Sequence, residues 1–235
     1  MVKKFFLAAV GTALLGAGMV VAATSGSSVP ADEALQRLVA GNSRYVEEKP
    51  TASKRCTKET RASLATSQKP YAVILTCSDS RVPPELLFDA GLGEIFVVRT
   101  AGNIADPVAL GSIEYAAEHL GTSLVMVLGH ERCGAVAATV GAKGKAEGNI
   151  GAIVKTIAPA LNKAKRECPQ CKNTKDCEKT NKSEFLECVT DANLKLVTAS
   201  LTKNSKVLKH LVDAKKLTIV SAKYDLDDGK VTVFK

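Results

Sequence analysis

Short apolar runs that alternate with helical patterns constrain the fold of this chain more than any other feature. Helical patterns lie between and after these runs, and Pro83, Pro84 and Pro107 are suited to helix starts. A strand that is apolar on both faces is typical of a parallel sheet covered by helices. We therefore predict an α/β domain with a central, mostly parallel sheet flanked by helices. The largely apolar runs are 71–76, 94–98 and 123–128.

Both ends of the chain extend this pattern. Apolar residues from Ala31 toward Val46 recur at helical spacing and predict an N-terminal helical arm. No internal repeat or second domain boundary is evident, so residues 24–235 are expected to form one domain. Further elements are expected after the three strands: a helix from Cys133, a helix over about 191–214, a strand over 217–222 and a hairpin turn at Asp228-Gly229.

The composition places the chain among soluble globular proteins. Of its 235 residues, 46% are hydrophobic and 24% are charged, which excludes wholesale disorder and a multi-span membrane protein. The net charge of +8 is moderate, and the basic residues are not concentrated beside aromatic ones. We therefore expect a solvated surface and no nucleic-acid partner.

Residues 1–23 have the pattern of a secretory signal peptide. Lys3 and Lys4 precede an apolar run, which ends in the small residues Val21-Ala-Ala23. We predict cleavage there, export to the periplasm or beyond, and no stable membrane association afterwards. The apolar run is also about long enough to span a bilayer, so a retained membrane anchor is the alternative.

Metal-binding side chains follow two of the predicted strands. Cys77 follows the first strand, whereas His130 and Cys133 follow the third at a spacing that lets both reach one ion. Two thiolates and an imidazole are a typical zinc set, and three protein ligands leave a fourth position open for water. The alternative is a buried histidine with two buried thiols and no metal.

Asp79 and Arg81 lie close to the first of these cysteines in sequence. The Asp79 carboxylate can either bind the metal, which closes the site, or pair with the Arg81 guanidinium, which leaves it open. The alternative is a loop-capping aspartate beside a surface arginine.

Two motifs in this chain resemble those of the β-class carbonic anhydrases. They are Cys77-Ser-Asp-Ser-Arg-Val82 and Gly129-His-Glu-Arg-Cys-Gly-Ala135. The resemblance implies zinc ligation by Cys77, His130 and Cys133, with Asp79 and Arg81 as a gating pair. The likeness covers most of the chain outside residues 1–23 and 163–189 and includes 93–103, 111–115 and about 194–234.

The same resemblance implies a substrate pocket formed by Gln68, Phe96 and Tyr115. In plant-like members of the family the glutamine binds a substrate oxygen, and the two aromatic residues wall the pocket, partly across a dimer interface. A homodimer or a dimer of dimers is therefore expected, with the N-terminal helix reaching over the partner. Taken alone, the three residues could be a loop residue, strand core and helix core.

The implied activity is zinc-dependent, reversible hydration of carbon dioxide to bicarbonate and a proton. Zinc-bound hydroxide would attack the gas, and the two thiolate ligands favour activity that rises through about pH 7–8.5. One alternative is hydrolysis of carbon disulfide or carbonyl sulfide on the same scaffold, and another is a non-catalytic zinc-binding relative. His119 and His210 are poor candidates for the proton shuttle.

The polar stretch 163–189 is interpreted as a Cys-rich insertion. For an exported chain, structural disulfides are the preferred interpretation of its four cysteines. A second four-thiolate metal site and a redox pair at Cys168-Pro-Gln-Cys171 are the alternatives, and Cys56 would be free or would bridge two chains. The four cysteines are Cys168, Cys171, Cys177 and Cys188.

Overall fold

A five-stranded sheet, in the order β2-β1-β3-β4-β5, forms the centre of the molecule. The computed structural model describes residues 29–142, 145–169 and 182–234. The first four strands are parallel, and β5 is antiparallel to β4. The predicted central, mostly parallel sheet is confirmed, with the expected hairpin before β5. The strands are β1 (Ala72–Cys77), β2 (Ile95–Thr100), β3 (Leu124–His130), β4 (Thr218–Tyr224) and β5 (Val231–Phe234).

Helices cover both faces of this sheet. Two short 3₁₀ segments, Ala52–Arg55 and Ala101–Asn103, accompany them. The α-helices of the described residues are α1 (Ala31–Val46), α2 (Lys58–Ser63), α3 (Pro84–Leu87), α4 (Pro107–Glu118), α5 (Gly134–Gly141), α6 (Ile150–Glu167), α7 (Lys182–Asn204) and α8 (Lys206–Asp213).

Strand β1 divides its side chains between two hydrophobic clusters. Val73 and Leu75 join residues of α4, α7 and α8 on one face, whereas Ala72 and Ile74 join residues of α1 and α3 on the other. All six residues of β1 and all seven of β3 are buried. This explains why both strands are apolar throughout, and it holds their carboxyl ends in a fixed position.

The predicted N-terminal helical arm packs on the sheet of its own chain. Ala34 and Leu38 of α1 are fully buried in the same cluster as Phe88. A Cβ atom at Gly41 would lie 1.9 Å from the backbone oxygen of Phe88, so only glycine permits this close approach.

A buried carboxylate joins the segment after α1 to the core. Asp89 is 1% exposed, and its two carboxylate oxygens accept hydrogen bonds from Arg44, Thr51 and Ala52. Its backbone is left-handed, with a φ of 44°. The helix that begins at Pro84 ends at Leu87, before this residue.

The helical segment expected over 191–214 consists of two helices. Ser205 interrupts it because its side chain caps α8 by accepting the amide hydrogen of Leu208. The first of the two, α7, already begins at Lys182. Helix α6 was not predicted, and residues 163–167, which we assigned to the insertion, form its last turn.

The described residues contain no helix that is both long enough and apolar enough to cross a bilayer. The predicted signal peptide, residues 1–23, lies outside the described residues.

Candidate metal centre

The three predicted metal ligands meet at one edge of the sheet. Cys77 ends β1, His130 ends the neighbouring strand β3, and Cys133 directly precedes α5. Their two sulfurs and a ring nitrogen lie within 4.8 Å of one another. All three side chains are buried, with exposures of 4%, 1% and 4%. Parallel pairing of β1 with β3 therefore joins ligands that are far apart in sequence.

The imidazole of His130 has one satisfied and one unsatisfied nitrogen. Its Nδ1 lies 2.7 Å from the backbone oxygen of Glu131, so Nδ1 donates the proton. Its Nε2 is buried and has no hydrogen-bond partner among the described residues. A buried nitrogen without a partner is costly, and a metal ion bound to Nε2 would satisfy it.

The pKa values of the two thiols shift in opposite directions. The neighbouring Cys133 thiol is the largest cause that lowers the pKa of Cys77. The Gly102 amide also donates to the Cys77 sulfur, at 3.3 Å. The contact between the two thiols, together with burial, raises the pKa of Cys133 well above its ordinary value. The lowered pKa favours the thiolate of Cys77, which is the form that binds zinc.

Asp79 is paired with Arg81 beside this group. Arg81 donates from Nε and Nη2 to the two carboxylate oxygens at 3.0 and 2.8 Å, and its backbone amide donates at 3.0 Å. The side-chain hydrogen bonds are the largest cause that lowers the pKa of Asp79 to about 2. One Asp79 oxygen lies 3.9 Å from Nε2 of His130. The carboxylate is therefore ionised and close to the ligand group, but it is paired with the guanidinium.

Arg99 also contacts the backbone of Cys77 and Asp79, although we did not predict a role for it. Its guanidinium donates to the backbone oxygens of Cys77 and Asp79 at 3.0 and 2.6 Å. Arg99 lies on β2 opposite Thr76, so the pairing of β1 with β2 places it one residue before the ligand. The strand register, rather than any motif, was the signal that could have identified it.

Arg132 lies between two of the ligands and has several partners. Its backbone amide donates to Glu187 at 2.9 Å, and its guanidinium donates to the two oxygens of Asp227 at 3.1 and 2.9 Å. Its backbone oxygen accepts from Arg81 at 3.4 Å. Neither carboxylate was predicted to take part in the site.

The predicted pocket residues do not lie beside the ligands of the same chain. Phe96 is opposite Val73, whereas Cys77 is opposite Thr100, so Phe96 lies about 13 Å from the ligand end of the strands. Its ring centroid is 6.5 Å from that of Tyr115, which is 48% exposed. Gln68 is exposed in the segment before β1.

The remaining histidines and cysteines lie in other parts of the molecule. His119 and His210 are exposed, and the His119 ring lies 5.4 Å from the Tyr115 ring. A disulfide joins Cys168 to Cys188, and Cys56 is an exposed free thiol. The other two cysteines of the predicted insertion, Cys171 and Cys177, lie outside the described residues.

The Cys-His-Cys group lies at the carboxyl edge of a mostly parallel α/β sheet, where it could hold one metal ion. A family model described as Carbonic anhydrase matches residues 72–231. Carbonic anhydrase 2 of Mycobacterium tuberculosis is 36% identical over 203 residues, which cover 85% of this chain and 91% of the relative. The carbonic anhydrase of Mycolicibacterium smegmatis is 48% identical over 124 residues, or 52% of this chain and 60% of the relative.

Solved structures with a similar fold belong to the same class. The β-carbonic anhydrase CafA of Aspergillus fumigatus has a TM-score of 0.67 at 22% identity, over 86% of this chain and 90% of its own. One of two tetrameric β-carbonic anhydrases from Sordaria macrospora has a TM-score of 0.66 at 20% identity, over 86% of this chain and 97% of its own. The chain belongs to the β-class carbonic anhydrases.

Proposed function

We propose that this chain catalyses the reversible hydration of carbon dioxide to bicarbonate and a proton, with zinc bound by Cys77, His130 and Cys133. The observation that carries the proposal is the buried group of two sulfurs and one unpartnered nitrogen within 4.8 Å, in a chain of this family. When bound, zinc lowers the pKa of water toward neutrality and so supplies hydroxide. The thiolate pair favours activity that rises through about pH 7–8.5.

The pair formed by Asp79 and Arg81 is proposed to control access to the metal. While Arg81 binds both oxygens of Asp79, the carboxylate is kept from the fourth position and can orient an oxygen of the substrate. Replacement Arg81→Ala should free Asp79 and suppress turnover. Arg81→Lys, which keeps the charge but not the paired hydrogen bonds, should give an intermediate rate. An alanine variant with full activity and an unchanged pH profile would rule out the gate.

A second copy of the chain is proposed to complete the pocket. Strand β2 is an edge of the sheet, and the apolar residues Val108 and Tyr115 beside it are 79% and 48% exposed. A homodimer that covers this edge could bring Phe96, Tyr115 and Gln68 to the metal centre of the partner. Tyr115→Arg should then yield monomers in sedimentation velocity and reduce turnover. A monomeric wild type with full activity would contradict this arrangement.

The choice of substrate is open to a direct test. Carbon dioxide, carbon disulfide and carbonyl sulfide are all small, linear and apolar, so the fold alone does not select among them. Stopped-flow measurement of proton release from each gas at pH 8.5 should show fast turnover of carbon dioxide. A fully metal-loaded protein that hydrates no carbon dioxide would favour the non-catalytic alternative, and turnover of either sulfur gas would favour the hydrolase.

We further propose that the mature protein acts outside the cytoplasm and that the Cys168–Cys188 disulfide forms there. Mass spectrometry of the exported protein should find an N-terminus at Thr24. Non-reducing peptide mapping should find Cys168 linked to Cys188. An intact N-terminus or a free thiol at Cys188 would contradict the corresponding part of this proposal.

A further inference from the structure

One of the two residues between His130 and Cys133 has an unfavourable backbone conformation. Arg132 has a φ of 50°, in the left-handed region that residues with a Cβ atom rarely adopt. Such a conformation persists only where surrounding contacts stabilise it, and it is common at functional sites. Because Arg132 lies between His130 and Cys133 in the chain, its backbone conformation affects how these two side chains face each other.

The contact that acts on this backbone directly comes from α7. Glu187 accepts the amide hydrogen of Arg132 at 2.9 Å, and a charged acceptor makes this hydrogen bond stronger than a neutral one. The carbonyl oxygen of Arg132 accepts from Arg81 at 3.4 Å. Arg132 thus connects Glu187 both to the segment that carries His130 and Cys133 and to Arg81, which binds Asp79.

Glu187 is ion-paired through its second oxygen, which accepts no hydrogen bond among the described residues. Its second oxygen lies 2.6 Å from Nζ of Lys223, which also pairs with Asp191 at 2.9 Å. Burial lowers the pKa of Lys223, but the two carboxylates outweigh it, so the net shift is upward and Lys223 is a cation. The neighbouring residue in α7, Cys188, is covalently linked to Cys168 at the end of α6.

We propose that Glu187 is a positioning residue for the metal centre. It touches no substrate; it stabilises the left-handed backbone of Arg132 and thereby the approach of His130 and Cys133 to the metal. The inference rests on the proposed function, because it assumes that these residues bind zinc. It assigns a role to a residue of the segment that we had interpreted as an insertion on the domain.

Substitutions of Glu187 test this role through zinc retention. Glu187→Ala removes the acceptor, so zinc affinity measured by transfer to a chromogenic chelator should fall about 10-fold to 100-fold, with a comparable loss in kcat. The KM should change little, because Glu187 does not contact the substrate. Glu187→Gln keeps the side-chain length and an acceptor oxygen and should restore most of the zinc affinity.

Asp191→Ala is the matched control. It removes the other carboxylate that pairs with Lys223, on the same helix, but no contact joins Asp191 to Arg132 among the described residues. Zinc affinity should equal that of the wild type. Equal losses in the Asp191→Ala and Glu187→Ala variants would overturn the proposal, because they would trace the effect to Lys223 or to helix stability.

Unchanged zinc affinity and kcat in Glu187→Ala would also overturn it. If that variant does not fold, Glu187→Asp decides, since it keeps the charge but is one methylene too short to reach the Arg132 amide. Its zinc affinity should fall in the same way, and wild-type affinity would refute the role. A wild type that binds zinc but hydrates no carbon dioxide would contradict the proposed function alone, because the zinc comparison still tests Glu187.

Discussion

The buried carboxylate of Asp89 allows a quantitative prediction about stability. Its oxygens accept hydrogen bonds from the Arg44 guanidinium at 2.5 Å, from the Thr51 hydroxyl at 2.8 Å, and from the amides of Thr51 and Ala52 at 2.7 and 2.6 Å. Burial alone would raise the pKa of Asp89, but these hydrogen bonds outweigh it and lower the pKa from 3.8 to about 2. The native structure therefore favours the ionised form.

A carboxyl whose pKa is lowered on folding stabilises the native state fully above its unfolded pKa, and this contribution is lost as the pH falls toward its native pKa. The contribution is complete above about pH 5 and amounts to about 2 kcal/mol at pH 7. It falls to about 1 kcal/mol at pH 3 and is nearly lost at pH 2, as the native carboxylate becomes protonated. Asp89→Asn, which cannot ionise, should therefore be less stable than the wild type by about 2 kcal/mol at pH 7.

Urea denaturation of the wild type and Asp89→Asn at pH 7, 4 and 3 checks this value. Both proteins have the same metal site, so any loss of metal in acid contributes to both and cancels in the difference. Glu33→Gln is the control, because it removes a half-exposed partner of Arg37 and should cost about 0.5 kcal/mol or less. A difference between wild type and Asp89→Asn that is the same at pH 7 and pH 3, or absent at pH 7, would refute the reasoning.

Two further predictions concern packing and the disulfide. Gly41→Ala would place a Cβ atom 1.9 Å from the backbone oxygen of Phe88, so we expect a loss of about 1–3 kcal/mol in urea denaturation. Gly111→Ala, in a helix where no atom of the described residues lies within 4 Å of the added Cβ, should instead be neutral or stabilising. Replacing Cys168 and Cys188 by serine opens a loop of 20 residues and should lower the free energy of unfolding by about 3 kcal/mol, and equal stability would contradict this.

The strands that carry Cys77 and His130 could be predicted from sequence because both of their faces are buried. Strands β1 and β3 show no alternation of polar and apolar residues, and their buried runs end within two residues of the predicted boundaries. Since parallel strands end at one edge of the sheet, Cys77, His130 and Cys133 could be assigned to one group before any coordinates.

Helix α6 was overlooked although its pattern was present. Its buried residues Val154, Ile157, Ala160 and Ala164 recur at helical spacing, although Pro159 lies among them. Glu187 had no such signal. A glutamate in a polar segment is usually solvated, and only the packing of α7 beside the ligand loop brings it to Arg132.

The pocket aromatics show a different limit of sequence reasoning. The spacing of Phe96 and Tyr115 relative to the ligands suggested a shared site, and the two rings do lie near each other. Spacing does not say which chain's metal a side chain faces. The strand register places Phe96 far from its own ligands, so its predicted role depends on a second copy of the chain.

The central claim is that Cys77, His130 and Cys133 bind a zinc ion that hydrates carbon dioxide. Stopped-flow hydration at pH 8.5 should be compared for the zinc-loaded protein, the same protein after chelation, and the chelated protein after zinc is restored. We predict fast hydration that is abolished by chelation and recovered with one zinc per chain. Hydration that persists without metal, or no hydration from a fully zinc-loaded protein, would contradict the account.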